Sequence, residues 1–255
     1  MFDDNPEKLS KTNIAGIFYN SLVEIRTKLA SIPPFLILMA PRHGRSQRSY
    51  RYIIPDRQII LDHKTVQFVC LECRKTNDDS ESSREFYFCP QCLSQDSRCE
   101  PTPLTNSAII CYCNRCLETI HQSIGSADRM NHRLTRMKDT TYKLNLFAVL
   151  CIETSHYVAF VKCHKADQQD EWIFFDSMSD RYQNEKNIPR VSRVPNFDQW
   201  IENAENNPRF FENLDRRRQS GRPTTQEFSE DEMRYLRLFR DGAFFFYENS
   251  MVDYH

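Results

Sequence analysis

Two residues of this chain have the type and placement for acid–base chemistry. His156 opens the apolar run HYVAFVK, and Asp176 closes the run WIFFD. Strand alternation puts His156, Val158 and Phe160 on one face, and a charged residue at the end of a buried run faces a cleft rim. An imidazole with a carboxylate on its second ring nitrogen is a general base of fixed tautomer. The pair supplies two of the three groups of a thiol-based nucleophilic triad. No thiol in the chain has the setting of the third. Cys151 and Cys163 lie inside strands on either side of His156, and Cys99 and Cys111 lie in a cysteine-rich segment. A reactive thiol is favoured at a helix N-terminus, where the dipole holds the thiolate, and none of these follows a turn and opens a helix. On pattern alone, a satisfied strand-end histidine and a solvated aspartate are the simpler reading.

A second constellation has metal-ligand spacing. The pairs Cys70-x2-Cys73, Cys89-x2-Cys92 and Cys113-x2-Cys116 are followed by His121 and His132. Two thiolates on one tight turn lie a tetrahedral edge apart, so each pair can chelate zinc. Eight ligands fill two closed sites, and closed sites are structural. The alternative, reduced cysteines filling a small core, fits three pairs and two histidines poorly. Spacing leaves open whether the pairs bind in series or interleave. Cys111 is near enough to Cys113 to replace it, and Cys99 has no evident partner. So short and polar a segment has little core of its own, which leaves metal binding to supply most of its folding energy.

The rest of the chain must position these groups. Residues 1–12 read as a loose lead-in. From Asn13, the positions Ile14, Ile17, Phe18, Leu22, Ile25 and Leu29 recur at helical spacing, and Pro33 and Pro34 stop any continuation. FLILM (Phe35 to Met39) suits a buried strand. Short strands are expected at 52–54 and 59–61, and again from Leu146, His156 and Trp172. Helices are expected from Phe197 and after Ser229, which precedes acidic residues, and a last strand at 244–247. The fold class is α+β, residues 13–66 and 140–255 forming one domain that a zinc module at 67–139 interrupts. The 255 residues carry a net charge of −1, which gives no global electrostatic reason to expect nucleic acid. There is no apolar run long enough to span a membrane and no signal-peptide core at the N-terminus. A reducing, cytoplasmic setting follows as the expectation, and there the ten cysteines read as ligands or reactive thiols before disulfides.

The motifs resemble one family. FAVLCIETSHYVAFVK and FFDSMSDR, within Leu146 to Arg181, are similar to the histidine and aspartate boxes of the cylindromatosis-type deubiquitinases, a branch of the ubiquitin-specific proteases. PPFLILMAPR resembles the buried strand before that family's zinc insert, the cysteine pairs follow the order of its B-box, and YLRLFRDGAFFFYE resembles its last helix and strand. The resemblance implies the palm half of a papain-like fold, an antiparallel sheet with flanking helices and an inserted zinc-binding B-box. It implies His156 as general base and Asp176 as its orienter. It assigns Cys70, Cys73, Cys113 and Cys116 to one zinc and Cys89, Cys92, His121 and His132 to the other. The implied reaction is hydrolysis of linear or extended lysine-linked ubiquitin chains, with ubiquitin and signalling adaptors as partners. The family's cysteine box, N-x-G-x-x-C, has no counterpart here and would lie upstream, so the chain alone is expected to be inactive. An inactive product that binds ubiquitin through the palm or B-box is the competing reading. A B-box ubiquitin ligase fits less well, because strands follow where a coiled coil's heptads should.

Overall fold

The computed structural model describes residues 11–41, 50–77, 84–89, 109–123, 134–153, 156–165, 168–177, 189–207, 209–213 and 229–249. The chain opens with β1 (Lys11–Asn13), α1 (Ile14–Glu24), β2 (Phe35–Met39), β3 (Tyr52–Ile54) and β4 (Gln58–Leu61). Then come β5 (Phe68–Cys70), β6 (Phe86–Phe88), β7 (Ile109–Cys113), α2 (Asn114–Ser123) and β8 (Thr135–Arg136). The last elements are β9 (Tyr142–Glu153), β10 (His156–Lys165), β11 (Gln168–Asp176), β12 (Arg190–Arg193), α3 (Phe197–Asn206), α4 (Glu230–Asp241) and β13 (Gly242–Asn249). This is the expected mixture of sheet and helix. The chain divides into two compact units, one of residues 1–18, 37–58 and 145–248, the other of 19–36, 59–144 and 249–255. The sequence boundaries at 67 and 139 fall inside the second unit.

Most strand residues of the first unit belong to a seven-stranded sheet, six of whose strands run in the order β12-β11-β10-β9-β13-β2. β9, β10, β11 and β12 pair antiparallel in succession. The seventh strand, β4, pairs with β9, where Gln58 Nε2 donates to Asn145 Oδ1 at 2.8 Å. The core is aromatic. Phe160 packs edge-on to Phe174 at 5.1 Å, Trp172 stacks on Phe197 at 3.9 Å and Trp200 on Tyr235 at 4.1 Å. Burying each such side chain contributes about 1.5–3 kcal/mol, which fixes α3 to the sheet and α4 to α3. α4 begins as predicted at Ser229, with a reciprocal capping box: Ser229 Oγ accepts from Glu232 N, and Ser229 N donates to Glu232 Oε2 at 2.8 Å. It ends without a loop at Gly242. A Cβ there would lie 2.6 Å from the Leu238 carbonyl oxygen, so only glycine lets the helix run straight into β13.

Lys11 and Thr12, expected in the lead-in, pair in parallel with β3 as part of β1, and residues 1–10 lie outside the described residues. Asn13 caps α1, its Oδ1 accepting from Gly16 N at 3.0 Å, and Asp56 Oδ2 accepts from Ala15 N at 2.7 Å. Burial, with Glu205 nearby, pushes the Asp56 carboxyl up from 3.8 to about 6 despite these bonds. A carboxyl raised on folding binds its proton more tightly in the native state. Its stabilising contribution is therefore complete below the unfolded value and is lost as pH rises through about 6. Asp56→Asn is accordingly expected to gain stability relative to the parent between about pH 4 and about pH 7. Urea midpoints of the two proteins that vary in parallel across that range would refute this.

In the second unit, helix α1 stops at Glu24, short of the predicted Leu29. Arg26 adopts a left-handed φ of 50°, and the chain turns so that Leu29 N donates to Thr65 O and Gln67 N to Leu29 O, both at 2.8 Å. An isolated bridge between Leu29 and Val66 replaces the last helical turn. The four-stranded sheet runs β5-β7-β6-β8, with β5 and β7 parallel and the other pairs antiparallel. Leu71, Cys89, Tyr112 and Leu117 form its small core. The loop before β5 is tied by Asn77, which accepts from Phe68 N at 2.8 Å and donates to the carbonyls of His63 and Val66 at 3.0 Å.

Strand β2 differs from expectation on one face. Phe35, Ile37 and Met39 are exposed, at 47%, 58% and 60%, because β2 is the edge of its sheet and packs through alternate residues only.

Candidate active site and metal centre

β10 and β11 bring His156 and Asp176 together by register. Asp176 lies opposite Val158, two residues along from His156 on the same face. The bond from Ser177 Oγ to Tyr157 O, at 2.8 Å, extends the pairing past Asp176 and fixes this end of the strands. His156 is 5% exposed, and its Nε2 lies 2.5 Å from Asp176 Oδ1. The contact is shorter than an ordinary N–H···O hydrogen bond. The ring's other nitrogen, Nδ1, lies 3.2 Å from Nη1 of Arg237 on α4. Arginine offers only donors, so Nδ1 is the acceptor, and Nε2 carries the ring proton and donates its hydrogen bond to Asp176.

The two sequence-selected residues thus meet as an imidazole–carboxylate pair with a basic lone pair on Nδ1. Neither ring nitrogen touches a thiol among the described residues. Cys151 is buried on β9 opposite Val158, and Cys163 lies seven residues along β10. Sequence reasoning missed Arg237. It is 81 residues from His156, and no local pattern marks it.

The metal centre lies in the second unit. The sulfurs of Cys70, Cys73, Cys113 and Cys116 all fall within 4.8 Å of one another. They come from the end of β5, the turn after it, the end of β7 and the first turn of α2. Cys73 Sγ is 3.8 Å from Cys113 Sγ, and Cys113 N donates to Cys70 Sγ at 3.3 Å. A zinc–thiolate bond of about 2.3 Å implies a sulfur–sulfur tetrahedral edge of about 3.8 Å. The four sulfurs could therefore hold a metal ion, and an all-thiolate tetrahedral set suits zinc. First and third pairs interleave, the arrangement that spacing left open.

Register also separates Cys113 from Cys111. Cys111 lies opposite Cys70 in the parallel β5–β7 pair and turns its sulfur toward the Val69 carbonyl, at 3.6 Å. Burial, then the neighbouring Cys70 and Cys113 sulfurs, push the Cys111 thiol strongly up, and its sulfur is not among the four that lie within 4.8 Å of one another. Of the second expected set, Cys89 is buried in the small core. Cys92, His132 and the side chain of His121 lie outside the described residues, as does Cys99.

No family model matches the chain. It is similar to the ubiquitin carboxyl-terminal hydrolase CYLD of Mus musculus, 30% identical over 214 residues that make up 79% of this chain and 21% of that protein. The human protein of the same name is 30% identical over 217 residues, again 79% of this chain and 21% of its own length. The chain spans about a fifth of the length of the curated relatives it matches. Over that matched length it belongs to the CYLD-type ubiquitin carboxyl-terminal hydrolases.

Proposed function

We propose that this chain carries the base-and-carboxylate half of a cysteine-type deubiquitinase that hydrolyses isopeptide or peptide bonds within ubiquitin chains. The observation that carries the reading is the 2.5 Å contact of His156 with Asp176, on a chain of the CYLD type. His156 Nδ1 takes the proton of a cysteine thiol supplied by a part of the protein outside this chain. The thiolate attacks the carbonyl carbon of ubiquitin's C-terminal residue. The ring returns the proton to the departing amine, leaving a thioester. Water, deprotonated by the same nitrogen, then releases the ubiquitin carboxylate and the thiol. Asp176 accepts the Nε2 proton's hydrogen bond throughout and holds the ring in register.

Linear and extended lysine-linked chains are the proposed substrates. The Cys70–Cys73–Cys113–Cys116 set holds one structural zinc, and Cys89, Cys92, His121 and His132 the other, in a B-box inserted in the palm of the fold. Neither zinc enters the reaction. Signalling adaptors and a cytoplasmic site of action complete the reading. Among the described residues no helix is long and apolar enough to cross a membrane.

A second reading has a specific observation behind it. Both ring nitrogens of His156 already have partners within the chain, Asp176 and Arg237. Alone, the chain would then bind ubiquitin without cleaving it. The test is a ubiquitin bearing a C-terminal electrophile, presented to the purified chain. No covalent adduct is expected. An adduct on any of the ten cysteines would place the nucleophile inside the chain and overturn this division of labour.

A further inference from the structure

We propose that Arg237 is a positioning residue, one that occupies the basic lone pair of His156 and must withdraw before the ring can take a proton. The inference rests on the reading of His156 as the base. Nη1 of Arg237 is 3.2 Å from His156 Nδ1, on the side where a thiol proton would have to arrive. A guanidinium cannot accept. If Nδ1 were protonated, two N–H groups and two positive charges would face each other across that gap. Proton uptake by the ring and departure of the guanidinium are therefore one event.

The surroundings give Arg237 somewhere to go. Among the described residues its side chain's only hydrogen bond is the one to His156, and Nε and Nη2 are buried without a hydrogen-bond partner. Two carboxylates stand just beyond hydrogen-bonding range: Glu153 Oε2 at 3.7 Å from Nη2, and Asp241 Oδ2 at 3.9 Å from Nε. A shift of under an ångström toward them converts loose ionic contacts into charge-assisted hydrogen bonds and frees Nδ1.

The other charges around the ring do not offer the same device. Asp176, on β11, already holds Nε2. Arg190, opposite Asp176 on β12, is bound to Glu230 at 2.7 Å. Arg234, one turn earlier on α4, is held by Glu230 and Asp231 and lies over the Phe174 ring. Arg237 alone among these cations reaches the imidazole. In the resting site it occupies Nδ1, and an incoming thiol must displace it.

The test needs no nucleophile. The full 255-residue chain is labelled at its histidine ring nitrogens, and His156 is assigned among the seven histidines by its loss in H156Q. The pH at which Nδ1 takes its proton is then read by NMR in the parent, R237M and R237K. Removing a neighbouring positive charge is expected to raise that pH by about one unit in R237M. R237K, which keeps the cation, is expected to fall between R237M and the parent. Equal titration of parent and R237M, with the amide spectrum showing an intact fold, would overturn the proposal. R237Q serves the same comparison if R237M does not fold. A shifted titration together with undiminished ubiquitin-chain cleavage by the complete H156A protein would leave the Arg237 coupling standing and sink the base assignment instead.

Discussion

His156→Ala, made in the protein that also supplies the nucleophilic cysteine, is expected to lower ubiquitin-chain cleavage about 10²–10⁴-fold while the protein stays folded. The size of the loss follows from the geometry. Nδ1 carries the only unprotonated lone pair of the ring, because Nε2 is committed to Asp176 at 2.5 Å. Without the imidazole there is no group to draw the thiol proton or to return it to the leaving amine. Asp176→Asn should cost less but act through the same step, since an amide can accept the Nε2 hydrogen bond without stabilising the imidazolium that forms. The residual rate would come from substrate binding alone, so kcat should fall while KM changes little. Initial rates on linear and lysine-linked di-ubiquitin, beside thermal midpoints of each variant, decide it. Full activity in the alanine variant would remove His156 from the mechanism.

Loss of the metal is expected to unfold the second unit outright. The four-stranded sheet has a small core around Leu71, Cys89, Tyr112 and Leu117, and β5, β6 and β8 have three residues or fewer. Binding free energies in structural zinc sites are about 10–16 kcal/mol, as large as the stability of a whole domain. Cys113→Ser removes one of four ligands and leaves the other sulfurs crowded within 4.8 Å with nothing to balance them once ionised. Cys111→Ser is the control. Its sulfur sits beside the cluster but faces a backbone carbonyl, so the change is expected to cost only about 1–3 kcal/mol and to leave the bound metal in place. Metal content by elemental analysis, with amide dispersion across 59–144, separates the two variants. A Cys113→Ser protein with a dispersed spectrum and no zinc would show that this sheet folds without the ion.

Much of both sites was legible in the sequence, for identifiable reasons. His156 and Asp176 each end an apolar run, and strand alternation carries that information without knowledge of the partner strand. The C-x2-C pairs are local, so their chelating geometry is legible too. Which pairs share an ion depends on β5 lying parallel to β7, and the choice of Cys113 over Cys111 depends on how far along β7 each sits, Cys111 opposite Cys70 and Cys113 at the strand's end. Both are properties of register. Ser229 and Glu232 announce the start of α4 because a capping box is a matter of four residues.

What stayed hidden was decided at long range. The early end of α1 reflects the bridge from Leu29 to Val66. β12, with the sequence RVSR, has no apolar alternation, and pairing with β11 alone makes it a strand. The exposure of β2 follows from its place at the sheet edge, which its five apolar residues do not reveal. Arg237 meets His156 only because α4 packs over that end of the sheet.

The central claim is that this chain supplies the histidine and aspartate to a cysteine carried elsewhere in the same protein. It is tested most directly by capturing the native protein from its source cells with an antibody to Leu146 to Arg181, then reacting it with the ubiquitin electrophile. The prediction is a captured species much larger than 30.4 kDa that forms a covalent ubiquitin adduct. A captured species of only about that mass and inert to the electrophile would contradict the claim.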